Sequence, residues 1–168
     1  MKRIPLTQGQ FALVDDEDYT TFSVFKWCAA WSPKTKSFYA KRSIRCLDIP
    51  GRRQRHVSLH REIMGQPKGQ SGKGPLVDHI NHDTLDCRRS NLRVCTHPQN
   101  VRNMKRPNTR NTSGHRGVSW YKPYEKWKAS ICVMGQRVFL GHFKNKKKAI
   151  TAYTEASRKY FGDFGGLR

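Results

Sequence analysis

The sequence predicts an α+β protein with two small domains, and two stretches of the chain indicate this class. From about residue 75 to residue 104, two short apolar runs enclose a polar loop and precede residues that favour a helix start, which predicts strand, loop, strand and helix. Residues 113–168 contain three strand-like runs and then a helical stripe, which predicts a three-stranded antiparallel sheet packed on one helix. An N-terminal region of short strands is predicted from runs at residues 11–14, 38–40 and 56–60.

The N-terminal region holds the one acidic cluster of the chain, Asp15–Asp18. Acidic side chains are favoured at a helix N-terminus, so the cluster predicts a helix start, with a metal site as the alternative. We expect Trp27 and Trp31 in the core and a short helix from His60. Arg52–Arg55 is expected at a hairpin tip, where it either contacts phosphates or is only solvated.

The charge of the chain favours a polyanionic partner. Its 168 residues carry 33 Lys and Arg against 12 Asp and Glu, a formal net charge of +21. Such a surplus opposes compaction unless a polyanion neutralises it, so nucleic acid is the first candidate and an anionic membrane surface the second. No run is long and apolar enough to cross a bilayer, and the N-terminus does not resemble a secretory signal, which predicts a soluble intracellular protein.

The cysteines are odd in number and scattered, so neither disulfides nor paired zinc knuckles are favoured. They are Cys28, Cys46, Cys87, Cys95 and Cys132. We expect buried or half-buried free thiols, and a structural zinc site is not favoured. The candidate ligands of that alternative are Cys87, Cys95, His82 and His97.

The densest set of metal-competent and base-competent side chains lies around Asp78 and His79. A carboxylate such as Asp78 and an amide oxygen such as Asn100 are acceptable ligands for Mg²⁺ or Ca²⁺, but the amide is not typical of zinc. His79 can accept a proton near neutral pH. Thr96 fits a helix N-cap and Pro98 the first turn, from which Asn100 projects. If the two strands pair, a divalent ion fits between Asp78 and Asn100, with His79 beside it.

This region resembles the HNH endonuclease family, particularly its phage and intron-encoded homing branch. The resembling segments are Val77–Asn81, Leu85–Asp86, Ser90–Arg93, Gln99–Asn100 and, upstream, Leu59–Arg61. Cys87 stands where relatives often have a small polar residue, and His82 where they often have Gly. His82 is either a phosphate contact or a solvated loop residue, and the resemblance assigns no role to His60.

The resemblance implies a ββα-metal finger that hydrolyses DNA. Asp78 and Asn100 would bind one Mg²⁺, with Mn²⁺ as an alternative ion, and His79 would be the general base. Asn91 would hold the loop and orient His79. The products would carry 5′-phosphate and 3′-hydroxyl ends. A lone His is more often structural, but the whole constellation with its spacing favours catalysis.

The C-terminal segment predicts a sheet with one open face. Its strand-like runs are Gly117–Tyr121, Trp127–Val133 and Arg137–Phe143, with a tight hairpin turn at Met134–Gln136. Asn145 is expected to cap a helix over residues 146–160, whose apolar stripe would cover one face of the sheet. We expect Trp120 and Trp127 in the core and a basic, partly aromatic open face.

This segment resembles the AP2/ERF DNA-binding domain, in which the sheet lies in the major groove. The resembling segments are Ser113–Val118, Lys126–Trp127, Leu140–Phe143 and Ala152–Ala156. The resemblance places Arg116, Arg137 and Phe139 at DNA-contact positions, with Lys128 on the same face. Ser130 and Cys132 replace charged residues common in plant members, so a target sequence cannot be carried over. A plain solvated face is the alternative for the two arginines.

These segments divide the chain into an HNH domain with its N-terminal β region at residues 1–104, a basic linker at 105–112 and a DNA-binding domain at 113–168. Four more basic residues are expected to contact DNA phosphates, namely Arg93, Arg102, Lys105 and Arg106.

The predicted function is a site-directed endonuclease acting on double-stranded DNA, as a monomer or homodimer, in the cytoplasm of a phage-infected or other bacterial host cell. One rival is a non-cutting DNA-binding regulator that keeps the HNH fold as a scaffold. The other is a structural zinc module.

Overall fold

The computed structural model describes residues 1–45, 54–66, 74–103 and 111–165. The chain forms two compact units, Met1–His97 and Pro98–Arg168, and each is described by itself. The predicted linker at 105–112 lies mostly outside the described residues, as do Cys46 and the first half of the hairpin tip predicted at Arg52–Arg55. The linker and the tip therefore stay predictions.

The described part of the first unit is built from small antiparallel sheets and short helices. Its elements are β1 (Lys2–Pro5), β2 (Phe11–Val14), α1 (Asp16–Phe22), β3 (Cys28–Ser32), β4 (Ser37–Arg45), β5 (Gln54–Ser58), α2 (Leu59–Ile63), β6 (Leu76–His79) and β7 (Leu92–Cys95). β1 pairs with β2, β6 pairs with β7, and β4 lies between β3 and β5. The short strands predicted before residue 75 are confirmed, although the third gives way to α2 at Leu59.

The core of this unit joins the N-terminal strands to the loop before β7. Its most deeply buried side chains include Ile4, Val14, Leu59 and Cys87. The acidic cluster does begin a helix, because α1 has Asp16, Glu17 and Asp18 in its first turn. Burying these apolar groups stabilises the unit by about 1.5–3 kcal/mol for each large side chain.

Trp27 and Trp31 have different environments. Trp27 is 3% exposed and its indole N–H donates to the Phe22 carbonyl at 2.8 Å, so its predicted place in the core is confirmed. Trp31 is 53% exposed, and the prediction that it is a core residue was wrong. It pairs with Phe38 near the tip of the β3–β4 hairpin, beyond the region that the core covers, and packs edge-to-face against that ring.

The second unit contains most of a short helix, a three-stranded sheet and a long helix. Its described elements are α3 (His97–Asn103), β8 (Val118–Tyr121), β9 (Lys126–Val133), β10 (Gln136–Phe143) and α4 (Lys146–Phe161). All neighbouring strands are antiparallel, with β9 in the centre. The strands, their order and the helix agree with the sequence prediction.

α4 packs on one face of this sheet. The contact buries Ala149 of α4 against Val118 of β8 and Ala129 of β9, and these two strand residues alternate with outward-facing neighbours. Asn145 caps α4 as predicted, since its Oδ1 accepts from the Lys147 N–H at 2.7 Å. The β9–β10 turn is formed by Met134 and Gly135, both with positive φ, as a tight hairpin requires.

Trp120 and Trp127 lie at the margin of this core. Trp127 is half-buried and packs against the cluster, with the Lys146 ammonium 5.1 Å from its ring centroid. Trp120 is 47% exposed, so its predicted core position was wrong. It lies on β8, an edge strand with no neighbour on one side, and only the Trp127 ring packs against it among the described aromatic rings.

None of the helices in the described ranges is both long enough and apolar enough to cross a membrane.

Candidate active site

β6 and β7 carry the residues on which the prediction of the site depends. Their antiparallel register sets Asp78 opposite Arg93 and His79 opposite Leu92. Asp78 and His79 are both buried at the C-terminal end of β6. The strand pairing that the sequence argument required is therefore present.

Asn91 ties together the two ends of the loop between these strands. Its Nδ2 donates to the Asp86 carbonyl at 2.8 Å, and its Oδ1 accepts from the Asn81 N–H at 2.9 Å. Its backbone carbonyl accepts from the N–H of Ile80 at 2.9 Å. Because Ile80 directly follows His79, these bonds fix the backbone beside the imidazole. The effect of Asn91 on catalysis stays a prediction.

Asp86 is the second fixed point of the loop. The Arg88 guanidinium donates to both of its carboxylate oxygens at 2.7 Å, and Asn81 Nδ2 donates to one of them at 3.0 Å. The hydrogen bonds from Arg88 lower the pKa of Asp86, although burial opposes them. Asp86 therefore stays ionised and holds the loop over a wide pH range.

Cys87 belongs to the core and not to the chemistry. It is fully buried, its N–H donates to the Leu13 carbonyl at 2.8 Å, and burial raises the pKa of its thiol to about 12. A thiol held protonated in this way is neither a nucleophile nor a metal ligand at neutral pH. The prediction of buried or half-buried free thiols is confirmed for Cys87 and Cys95, but it was wrong for Cys28 and Cys132, which are exposed.

The N-terminal acidic cluster holds the same loop, which the sequence argument missed. Asp18 accepts from the Arg89 guanidinium through both carboxylate oxygens, at 2.9 and 2.7 Å, and Asp15 accepts from the Arg89 N–H at 2.8 Å. The Leu13 N–H also donates to the Leu85 carbonyl at 2.8 Å. The sequence signal was an acidic cluster in a basic chain, but a partner 71 residues away leaves no local pattern.

The environment of His79 keeps its imidazole neutral. The residue is 5% exposed, and burial lowers its pKa from 6.5 to about 4. The carboxylates of Asp78, Asp83 and Asp86 favour the protonated ring, but burial outweighs them. A neutral imidazole can accept a proton, and the same carboxylates stabilise the cation that results.

Two further rings surround the His79 imidazole. The centroid of the His60 ring is 4.8 Å away at an interplanar angle of 62°, and that of the Tyr39 ring is 6.2 Å away at 69°. The His60 and Tyr39 rings are also neighbours, with centroids 5.9 Å apart. The sequence marked His60 only as part of a segment that resembles the HNH family, and it gave no signal for Tyr39.

Asp78 is ion-paired within the same strand pair. Arg93 Nε and Nη2 both donate to Asp78 Oδ2, at 3.1 and 3.0 Å. The Arg93 side chain is therefore engaged in the site, and its predicted contact with a DNA phosphate is untested. The pair fixes the orientation of the one carboxylate that the prediction assigns to the metal.

The two predicted metal ligands belong to different compact units, because Asp78 is on β6 and Asn100 on α3. Their joint metal site stays a prediction. Within the described ranges, no group of three or more His, Cys, Asp and Glu side chains is placed to hold a metal ion. A site of one carboxylate and one amide does not require such a group, because Mg²⁺ keeps several waters and takes further oxygens from phosphate.

His82 occupies a turn that suits glycine. Its φ is 66°, in the left-handed region, and its N–H donates to the His79 carbonyl at 3.1 Å. This backbone conformation gives a physical reason for the Gly that relatives often have there. A phosphate contact by His82 stays a prediction.

The open face of the second unit presents the predicted contact residues together. Phe139 pairs with Ser130 and Arg137 with Cys132, on the face opposite α4. Phe139 is 55% exposed, Arg137 is exposed, and the Lys128 ammonium lies 5.9 Å from the Phe139 ring centroid. The structure thus groups Lys128, Arg137 and Phe139 on one surface, and their contact with DNA remains untested.

Two other residues that are predicted to contact DNA, Arg102 and Arg116, contact each other. Arg116 Nη1 donates to the Arg102 carbonyl at 2.7 Å, and the Arg102 guanidinium carbon lies 4.2 Å from the Phe161 ring centroid. Both arginines are half-buried within the second unit, and their contact with DNA remains untested. Lys105 and Arg106 lie outside the described residues.

A comparison with protein families assigns the class of the central segment. Residues 57–102 match a family model described as HNH endonuclease. The match covers Asp78, His79, Asn91 and Asn100. The likeness of the C-terminal segment to AP2/ERF domains has no such support.

Viral proteins are similar to this chain. It is 27% identical over 157 residues to the uncharacterized HNH endonuclease L560 of Acanthamoeba polyphaga mimivirus, an alignment that covers 94% of this chain and 74% of the relative. It is 35% identical over 78 residues to Protein 3.8 of Escherichia phage T7, covering 46% of this chain and 64% of that protein, less than two thirds of its length. No solved structure matches.

Proposed function

We propose that this protein is a DNA endonuclease that hydrolyses phosphodiester bonds with one divalent metal ion and with His79 as general base. The observation that carries the proposal is a buried, neutral imidazole beside the Asp78 carboxylate, inside the HNH segment. A general base needs a vacant lone pair at the working pH, and a pKa of about 4 leaves His79 unprotonated at pH 7.

In this mechanism His79 takes a proton from the water that attacks the phosphorus. The water oxygen bonds to phosphorus as the bond to the 3′ oxygen breaks, and the departing oxygen takes a proton from solvent, which leaves 5′-phosphate and 3′-hydroxyl ends. Asp78, Asp83 and Asp86 stabilise the resulting imidazolium, since each already favours the charged ring. A base with a pKa of about 4 is weak, but an anionic phosphate beside the ring raises that pKa towards neutrality and strengthens the base.

Asp78 and Asn100 are the residues that would hold the metal ion. Carboxylate and amide oxygens are hard donors that suit Mg²⁺, or Mn²⁺ in its place. An ion held there would supply positive charge that stabilises the departing 3′ oxygen. Arg93 supports this role by holding Asp78 Oδ2 in one orientation.

The open face of the C-terminal sheet would bind the target, as the likeness to AP2/ERF domains suggests. An exposed ring, Phe139, lies beside Lys128 and near Arg137, and the chain as a whole carries a net charge of +21. Cations neutralise phosphates, while the ring can contact base edges such as the thymine methyl group. Binding of this kind weakens steeply as salt concentration rises.

One observation favours a second candidate, a non-cutting DNA-binding protein that keeps the HNH fold as a scaffold. Arg93 already neutralises the Asp78 carboxylate, so a metal ion must share that group with a guanidinium. If the ion pair excluded metal, the basic surface would bind DNA without cleavage.

Plasmid nicking decides between the two candidates. Supercoiled DNA is incubated with the full-length protein in Mg²⁺, in Mn²⁺ and in EDTA, and the ends are mapped. We expect metal-dependent nicks, and we expect His79→Ala to lower the cleavage rate by about 10²–10⁴-fold with DNA affinity nearly unchanged. His56→Ala is the matched control, because His56 is an exposed histidine on β5 that contacts Ser43. DNA binding without metal-dependent cleavage would support the scaffold candidate instead.

A further inference from the structure

Three elements of the first unit bring three rings to one point. Tyr39 comes from β4, His60 from the start of α2 and His79 from the end of β6. The His60 and His79 centroids are 4.8 Å apart in an edge-to-face arrangement, and Tyr39 completes the cluster at 5.9 and 6.2 Å. This spacing is typical of aromatic pairs in direct contact.

The backbone of His60 is held in place by the core of the first unit. The residue is 7% exposed and follows Leu59, a core residue with no exposed surface. The backbone of His60 lies beside the thiol of Cys87, which is fully buried in the same core. His60 therefore presents its ring to His79 from a backbone that the core holds in place.

A ring held against His79 limits the rotation of that imidazole. The hydrogen bonds of Asn91 fix the backbone after His79, but they leave the torsions of its side chain open. Rotation of the imidazole would require the ring to move into space that His60 and Tyr39 occupy. Packing of this density resists such movement, because interiors have few voids large enough to accept a displaced ring.

We propose that His60 is a positioning residue: its ring, together with that of Tyr39, holds the His79 imidazole in the orientation needed to take a proton from water. The effect on cleavage rate rests on the proposed function. The contact between the rings does not, because it exists in the protein without DNA. In this role His60 acts through packing and not through proton transfer, so a phenyl ring in its place should serve equally well. A general base must align within hydrogen-bond reach of its proton, so loss of one orientation costs rate and not affinity.

The kinetic test compares His60→Ala and His60→Phe, with His56→Ala as the matched control. Single-turnover cleavage at saturating protein gives the rate of the chemical step, and a binding titration without metal gives DNA affinity. We expect His60→Ala to lower the rate by about 10–100-fold with affinity within about twofold. His60→Phe should restore the rate to within about fivefold of the unaltered protein, because the ring contact is kept.

Two kinetic outcomes overturn the proposal. A folded His60→Ala protein that cleaves at the unaltered rate would show that His60 positions nothing. A His60→Phe protein as slow as His60→Ala would show that the histidine nitrogens are needed, which a packing role does not predict. Thermal unfolding of each variant shows whether the fold is retained.

A second measurement works without cleavage and separates this proposal from the proposed function. In ¹⁵N-histidine-labelled protein, ring protons of His79 should show nuclear Overhauser effects to Tyr39, and these should weaken or average in His60→Ala but persist in His60→Phe. If the protein cuts no DNA but the contacts behave this way, the nuclease assignment fails and the positioning contact stands. Unchanged contacts in His60→Ala would refute the positioning role.

Discussion

Acid should destabilise the first unit through His79, in the absence of metal and DNA. In the unfolded chain His79 titrates near 6.5, whereas burial lowers its pKa to about 4 in the folded protein. Between these values the unfolded state binds more protons than the folded state, so the free energy of unfolding falls as pH falls. The contribution of His79 is fully present above pH 6.5 and is lost as pH drops towards 4.

The magnitude follows from the two pKa values. One pKa unit corresponds to about 1.36 kcal/mol, so the interval from 6.5 to about 4 corresponds to about 3 kcal/mol. About 2.5 kcal/mol of this should be lost by pH 4.5, where the unfolded side chain is protonated and most of the folded side chains are not. Asp86 is distinguishable, because a carboxylate with a lowered pKa loses its contribution only below its ordinary value of 3.8.

The assay is urea unfolding at pH 7 and at pH 4.5, with EDTA, for the unaltered protein and for His79→Gln. The Trp27 indole N–H signal reports on the first unit alone, because Trp27 is buried there and bonds to the Phe22 carbonyl. We expect the unaltered protein to lose about 2.5 kcal/mol more than His79→Gln over this pH interval. Equal losses in the two proteins would refute the claim that a buried, neutral His79 exists in this fold.

Two substitutions test the packing that supports the sites. Arg89→Ala should lower the free energy of unfolding of the first unit by about 2 kcal/mol, because the buried Asp18 carboxylate loses its bidentate partner. The effect is limited because the Arg89 side chain is itself half-exposed. Chemical unfolding measures the change, and a loss below about 0.5 kcal/mol would contradict the prediction. Gly117→Ala should unfold or strongly destabilise the second unit, because its φ is 70° and an added Cβ would clash with the Tyr153 ring. Gly135→Ala is the control: its φ is 82°, but an added Cβ meets open space, so it should cost only about 1 kcal/mol. Thermal unfolding measures both effects. Equal effects of the two glycine substitutions would show that close packing on α4 is not what requires Gly117.

Local patterns predicted most of the second unit, and the physical reason is its short-range topology. Each strand pairs with the next strand along the chain, so alternation such as Ala129 and Ile131 inward already fixes the faces. The Asn145 cap and the Met134–Gly135 turn depend on neighbours a few residues away. The pattern did not predict the exposure of Trp120, because that exposure depends on where the edge of the sheet lies.

The first unit was predictable in its parts but not in its assembly. The acidic residues of α1 were read correctly as a helix start, yet Asp18 also binds Arg89, and no local rule links positions so far apart. Tyr39 was missed for the same reason, because its ring contact with His79 joins residues far apart in the chain and depends on how β4 is placed by its pairing with β5. Trp31 was misplaced because alternation assigns a face of the sheet without showing how far the core extends along it.

These long-range contacts bear on where the domain that contains the candidate active site begins. The family match starts at residue 57, but the loop that carries Asp86 and Arg89 is held by Leu13 and Asp18 from the N-terminal strands and helix. Without residues 1–56 the core that contains the buried Cys87 would lose Ile4, Ala12 and Val14. The Tyr39 ring, which packs near His79, would also be missing. The geometry around His79, the proposed general base, is thus a property of the whole unit Met1–His97 and not of the matched segment alone.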